Sequence, residues 1–231
     1  MSKESEYRGE NMIKTPIIIV NYKTYAQAYG RNALELTRKL EKVADGNIAI
    51  APLPMDIPVL VKECSLPVFS QHLDGVGFGS FTGHILPEAV KEAGAIGTLI
   101  NHSERRLRLA DIEASISRAK QVDLATVVCT NNINVSAAAA AMSPDFVAVE
   151  PPELIGGDIS VSKAQPEIVS GSVEAVKSVN QDVGVLCGAG VKDGEDVRKS
   201  IELGSQGVLL ASGLVKAKNV ETVAMDLLSG L

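Results

Sequence analysis

Short apolar runs recur along the chain, and between most of them lies a stretch with helical spacing. The runs fall at 17–20, 47–51, 68–70, 98–100, 125–129, 146–149, 184–187 and 207–210. They are apolar without clear alternation, as strands buried on both faces are. The helical stretches include 32–44, 111–122, 134–142, 165–178, 194–203 and 220–228. The third unit is the weakest: a glycine-rich loop, QHLDGVGFGSFTGHI, leads to a short helix near 87–93. Eight strands alternating with helices define an α/β fold with a parallel sheet. In a chain of this length the pattern predicts a closed (β/α)8 barrel in a single domain rather than an open doubly wound sheet.

Composition narrows the picture. Hydrophobic residues make up 45% of the chain but aromatics only 3%, with no Trp, so the core must be built from Val, Ile, Leu and Ala. A net charge of −6 argues against a general nucleic-acid binder and leaves room for a small anion held by local donors. Three scattered cysteines, Cys64, Cys129 and Cys187, form no CxxC pair and read as reduced thiols in a cytoplasmic protein. No apolar stretch approaches the length that spans a bilayer, so no membrane role is expected. Residues 1–11 are polar and read as a disordered extension, with the barrel as one catalytic domain over 12–231.

In a parallel barrel all strands end on one face, where the chemistry sits. The first run leads into Asn21-Tyr22-Lys23, the fourth into Asn101-His102-Ser103-Glu104, and the sixth into Glu150. The seventh leads into Gly188-Ala189-Gly190 and the eighth into Ala211-Ser212-Gly213. A cation, an imidazole and a carboxylate thus converge from distant segments, a set that suits proton transfer. Taken singly, each has an ordinary reading as a solvated or structural residue. His72 and His84 have only that weaker claim. The small-residue turns allow backbone N–H groups to approach a phosphate. The histidines show no metal-ligand spacing, and GVGFGS at 75–80 lacks the dinucleotide pattern, so neither metal nor cofactor is expected.

The stretches NYK (21–23), NHSERR (101–106) and VEPPELIGGD (149–158), in this order, resemble the triosephosphate isomerase family from about residue 17 to the end. CGAGV (187–191) and LLASGLVKAKN (209–219) resemble its archaeal branch. Where bacterial and eukaryotic members usually carry Trp-Ala-Ile-Gly, this chain has Glu153-Leu154-Ile155-Gly156. Gly190 stands in place of a serine, and Ala211-Ser212 in place of paired glycines.

The resemblance implies a TIM barrel that interconverts dihydroxyacetone phosphate and D-glyceraldehyde 3-phosphate, without a cofactor, in glycolysis and gluconeogenesis. It implies Glu150 as base, His102 as the group that polarises the carbonyl, and Lys23 as the fixed positive charge. Substrate contacts are expected from Asn21, Tyr22, Lys23, Ile155, Gly156, Gly190, Ala211 and Ser212. Glu104 either anchors Lys23 or makes a purely structural pair. After Glu150, Pro151 and Pro152 would stiffen one hinge and Gly156 and Gly157 loosen the other, so that Leu154 and Ile155 cover the substrate as a lid. The third loop, with Phe81 and Thr82 near its tip, would reach a neighbouring subunit, predicting a homo-oligomer, dimer or tetramer. Two other readings are a different phosphate-binding barrel enzyme and a non-catalytic barrel; neither would be expected to carry this set of residues.

Overall fold

The structure, a computed structural model, describes residues 13–151 and 160–231. The expected extension over 1–11 and the lid residues Leu154, Ile155, Gly156 and Gly157 lie outside the described residues.

Eight parallel strands appear where the apolar runs predict them: β1 (Ile17–Asn21), β2 (Ile48–Ala51), β3 (Phe69–Ser70), β4 (Gly97–Ile100), β5 (Ala125–Thr130), β6 (Phe146–Val149), β7 (Gly184–Gly188) and β8 (Gly207–Leu210). Their order is β2-β1-β8-β7-β6-β5-β4-β3. A parallel bridge between Ile50 and Val68 joins the two ends and closes the barrel.

Strand parity divides the side chains. One set, including Ile17, Ile19, Ala51, Leu99, Cys129, Ala148, Leu186 and Leu209, packs together in the lumen. The intervening residues, such as Ile18, Val20, Ile48 and Val208, meet the helices outside. Burial on both sides explains the absence of alternation in the sequence. Two phenylalanines help to fill the lumen, and each faces a glycine across the sheet: Phe69 pairs with Gly97 and Phe146 with Gly184. A Cβ on Gly97 would lie 2.4 Å from the Phe69 ring, and one on Gly184 2.5 Å from Phe146. Large and small residues therefore interlock between neighbouring strands.

The outer helices are α1 (Gly30–Glu41), α2 (Ile57–Glu63), α3 (Pro87–Glu92), α4 (Leu109–Gln121), α5 (Ile133–Ala140), α6 (Val161–Ala164), α7 (Pro166–Val179), α8 (Gly194–Glu202), α9 (Ser212–Val215) and α10 (Val220–Leu228). In α1 the buried Ala33, Leu36, Thr37 and Leu40 recur at helical spacing, while Arg38 and Lys39 suit the negative end of its dipole. Three helices, α2, α6 and α9, are absent from the pattern-based expectation. Each has seven residues or fewer, too short for an amphipathic period to stand out, and α2 buries only Ile57 and Leu60.

Candidate active site

The C-terminal ends of β1, β4, β6, β7 and β8 surround one pocket of about 490 Å³, counting the space open at its mouth. It is lined by Asn21, Lys23, His102, Glu150, Gly190, Ala211 and Ser212, all singled out from the sequence. Ile155 and Gly156 lie outside the described residues.

Tyr22 is a correction. Parity turns Asn21 to the same side as Ile17 and Ile19, so Tyr22 follows Ile18 and Val20 outward. It is completely buried among core residues, and its hydroxyl lies 2.9 Å from Thr37 Oγ1 on α1. Burial pushes its phenol pKa upward, with the Thr37 hydrogen bond opposing. Tyr22 ties α1 to β1 and does not line the pocket.

Lys23 occupies left-handed backbone at φ 47°, and its N–H donates to Asn21 Oδ1 at 2.9 Å. This local turn makes that conformation accessible to a non-glycine residue. Gln71 Nε2 donates to the carbonyls of both Lys23 and Ala51 at 3.0 Å, fixing the turn to the barrel rim. The Lys23 ammonium then meets Glu104 Oε1 at 2.8 Å. Glu104 therefore pairs with Lys23 from outside the pocket lining, with its carboxylate 58% exposed.

Asn101 organises the His102 segment, a role the sequence reading did not assign. It too is left-handed, at φ 62°. Its Oδ1 accepts from Leu107 N–H at 2.8 Å and its Nδ2 donates to the Cys129 carbonyl at 2.9 Å. Arg106 Nη1 closes the turn on the Asn101 carbonyl at 3.0 Å. The Glu104 N–H donates to His102 Nδ1 at 3.2 Å. An acceptor at Nδ1 requires a neutral imidazole with its proton on Nε2. Glu104 Oε2 is also 3.6 Å from Nδ1, but the nearer backbone donor decides the tautomer. Nε2 faces the pocket, 3.6 Å from Glu150 Oε2.

Glu150 is buried, and its backbone N–H donates to the Thr130 carbonyl at 2.8 Å, extending the β5–β6 ladder to the strand end. Among the described residues its Oε2 accepts no hydrogen bond. Two neighbours went unassigned in the sequence. Cys129, wholly buried in the lumen, has its thiol held well above the ordinary range, by burial first and by the Glu150 carboxylate second. Gly188 leaves room for the carboxylate stem: a Cβ there would come within 2.4 Å of Glu150 Cγ. No periodicity signals either contact.

Ala189 and Gly190 are consecutive left-handed residues, at φ 72° and 71°. Ala189 pays about 1 kcal/mol or more for that conformation. Tyr25, Ala189, Lys192 and Gly213 also line the pocket. Gly213 lets the turns after β7 and β8 approach closely, since a Cβ there would lie 3.0 Å from the Val191 carbonyl.

A parallel barrel with a carboxylate, a neutral imidazole and a cation at its strand ends defines a barrel enzyme equipped for proton transfer. Comparison with known proteins gives the particular family. A family model described as triosephosphate isomerase matches residues 16–227. The triosephosphate isomerase of Methanosarcina acetivorans is 58% identical over 217 residues, covering 93% of this chain and 98% of the relative. That of Methanocaldococcus jannaschii is 55% identical over 215 residues, covering 92% and 98%. A solved structure of a triosephosphate isomerase from Bartonella henselae superimposes with a TM-score of 0.73 at 19% identity, covering 93% of this chain and 96% of that one, and shares the fold. The chain belongs to the triosephosphate isomerase family, and its similarity runs to the archaeal members.

Proposed function

We propose that the chain interconverts dihydroxyacetone phosphate and D-glyceraldehyde 3-phosphate, with Glu150 as base, His102 as proton donor and Lys23 as fixed positive charge. Glu150 takes the proton from the carbon beside the carbonyl. The electron pair released from that C–H bond forms the C=C of an enediolate, and the carbonyl oxygen becomes negative. His102 Nε2–H polarises that oxygen and passes protons between the two oxygens, while the Lys23 ammonium stabilises the charge that develops. Glu150 then returns the proton to the adjacent carbon. The observation that carries this reading is the buried Glu150 oxygen, without a hydrogen bond among the described residues, facing the Nε2 of an imidazole whose Nδ1 is already occupied.

The phosphate is assigned to the turns after β7 and β8, where Gly190, Ala211 and Ser212 line the pocket. Asn21 acts through the Lys23 turn. A coupled assay tests the function. The purified chain turns over D-glyceraldehyde 3-phosphate, and in D2O the product carries deuterium at the exchanged carbon. No turnover, or turnover unchanged in Glu150→Gln, overturns the assignment.

The working assembly is a homo-oligomer, a dimer at least. Phe78 is 78% exposed and Phe81 44% exposed on the loop between β3 and α3. That loop is held firmly to its own barrel, with Arg118 Nε donating to the Val76 carbonyl at 3.1 Å and Gly75 packed on Ala114. A second cavity, lined by Leu53, Pro54, His102, Glu104 and Arg105, opens beside the site and suits the loop tip of a neighbouring copy, so that Thr82 of each copy supports the active site of the other. Among the described residues no helix is long and apolar enough to cross a membrane. With a net charge of −6 and free cysteines, a cytoplasmic setting without nucleic-acid partners completes the proposal.

A further inference from the structure

Asp196 is a buried carboxylate that the proton-transfer chemistry does not use. It stands in the first turn of α8, with its side chain 4% exposed, and it draws three donors from two other segments. Its Oδ2 accepts from the Lys192 N–H at 2.9 Å. Its Oδ1 accepts from Ser160 Oγ–H at 2.7 Å and from the Lys163 ammonium at 2.7 Å. Ser162 Oγ–H adds a bond to the Asp196 backbone carbonyl at 3.3 Å, and the Val161 N–H donates to the Ala189 carbonyl at 3.2 Å. The turn over 189–192 is thus pinned at both ends to the chain that begins α6.

That turn needs pinning. Ala189 and Gly190 hold two successive left-handed conformations, and an alanine does not keep one without outside constraint. The same turn supplies Ala189, Gly190 and Lys192 to the pocket wall. A hydrogen bond to an ionised acceptor is stronger than one between neutral groups, so a carboxylate at 196 constrains the Lys192 N–H more firmly than an amide would. Burial raises the Asp196 carboxyl, but Lys163, Ser160 and the Lys192 N–H together outweigh it and hold the group ionised, below the usual carboxylate range.

We propose that Asp196 is a positioning residue for the phosphate end of the site, locking the 189–192 turn to the Ser160–Lys163 segment so that the turn is preformed for a phosphate. The inference rests on the assignment of that turn to the substrate phosphate. Asp196 touches neither the pocket nor the reacting carbons; it acts through the Lys192 backbone.

The test compares the parent chain with Asp196→Asn, which keeps the shape but puts an amide against the Ser160 and Lys163 donors. The first readout is binding of inorganic phosphate, by 31P NMR titration. The second is the ratio of kcat/KM for D-glyceraldehyde 3-phosphate to kcat/KM for D-glyceraldehyde, which lacks the phosphate. In the variant, phosphate affinity and this ratio both fall roughly tenfold, the equivalent of loosening one charge-assisted hydrogen bond. A purely structural role lowers the melting temperature and leaves both readouts alone, and that result overturns the proposal. If Asp196→Asn does not fold, Lys163→Met replaces it; this variant keeps the carboxylate and removes one clamp, and it should shift both readouts in the same direction by a smaller factor, no shift being the overturning result. Should the parent turn over neither substrate, the function assignment fails, while the phosphate titration still decides the role of Asp196.

Discussion

At the residue scale the site depends on where a few atoms are held. Glu150→Gln keeps the side-chain shape and removes the proton acceptor, so kcat should fall by roughly 10²–10⁴-fold or more with the circular dichroism spectrum unchanged. Gly188→Ala tests placement alone. Its new Cβ would meet Glu150 Cγ at 2.4 Å, so the carboxylate must shift while every reacting group remains. A misplacement of about 1 Å costs on the order of 10²-fold, and kcat should drop by that order with KM changed little. Lys23→Met separates charge from stability. The Lys23–Glu104 pair has its carboxylate 58% exposed, so losing the bridge should cost less than about 1 kcal/mol of folding free energy. Substrate binding and kcat should nevertheless both weaken severely, because the anionic substrate and the enediolate lose their fixed cation. Urea titration and steady-state kinetics on the same preparation separate the two effects.

At the element scale, three segments of the site are each fixed by a polar side chain close by in the chain. Asn21 shapes the Lys23 turn, Asn101 the His102 turn, and Asp196 the turn after β7. Asp196 carries a prediction about acid stability. Its carboxyl is held below the usual range, chiefly because the bonds from Lys163, Ser160 and Lys192 outweigh burial. A carboxyl with a folded pKa below its unfolded value, about 3.9, stabilises the fold fully above that value. The contribution disappears as pH falls through the lower, folded pKa. The parent should therefore exceed Asp196→Asn in stability by a constant margin from about pH 8 to 5, and the margin should shrink below about pH 4. Urea midpoints measured across that range check it; a margin that grows on acidification reverses the sign.

At the scale of the whole molecule, the barrel leaves Phe78 and Phe81 exposed on the loop between β3 and α3, and a second cavity shares Lys23 and His102 with the site. Phe81→Asp introduces a charge that assembly would have to bury without a partner. Sedimentation should show monomers, with activity well below the parent. An unchanged and fully active oligomer would place the interface elsewhere.

Much of this was legible in sequence. Buried parallel strands read as apolar runs, so all eight appear within a residue or two of their predicted positions, and the strand ends point to Lys23, His102 and Glu150. What followed from local pattern stops there. Whether Asn21 or Tyr22 faces the pocket is a matter of parity, settled by which neighbours of β1 lie in the lumen and which lie under α1. The Gly188–Glu150 contact, the Cys129 thiol beside that carboxylate, and the bonds from Asp196 to Ser160 and Lys163 join residues more than 20 positions apart. Periodicity records only which face of an element is apolar. Such contacts exist only once the strands have paired, because the parallel pairing of β5, β6, β7 and β8 brings distant stretches of the chain side by side.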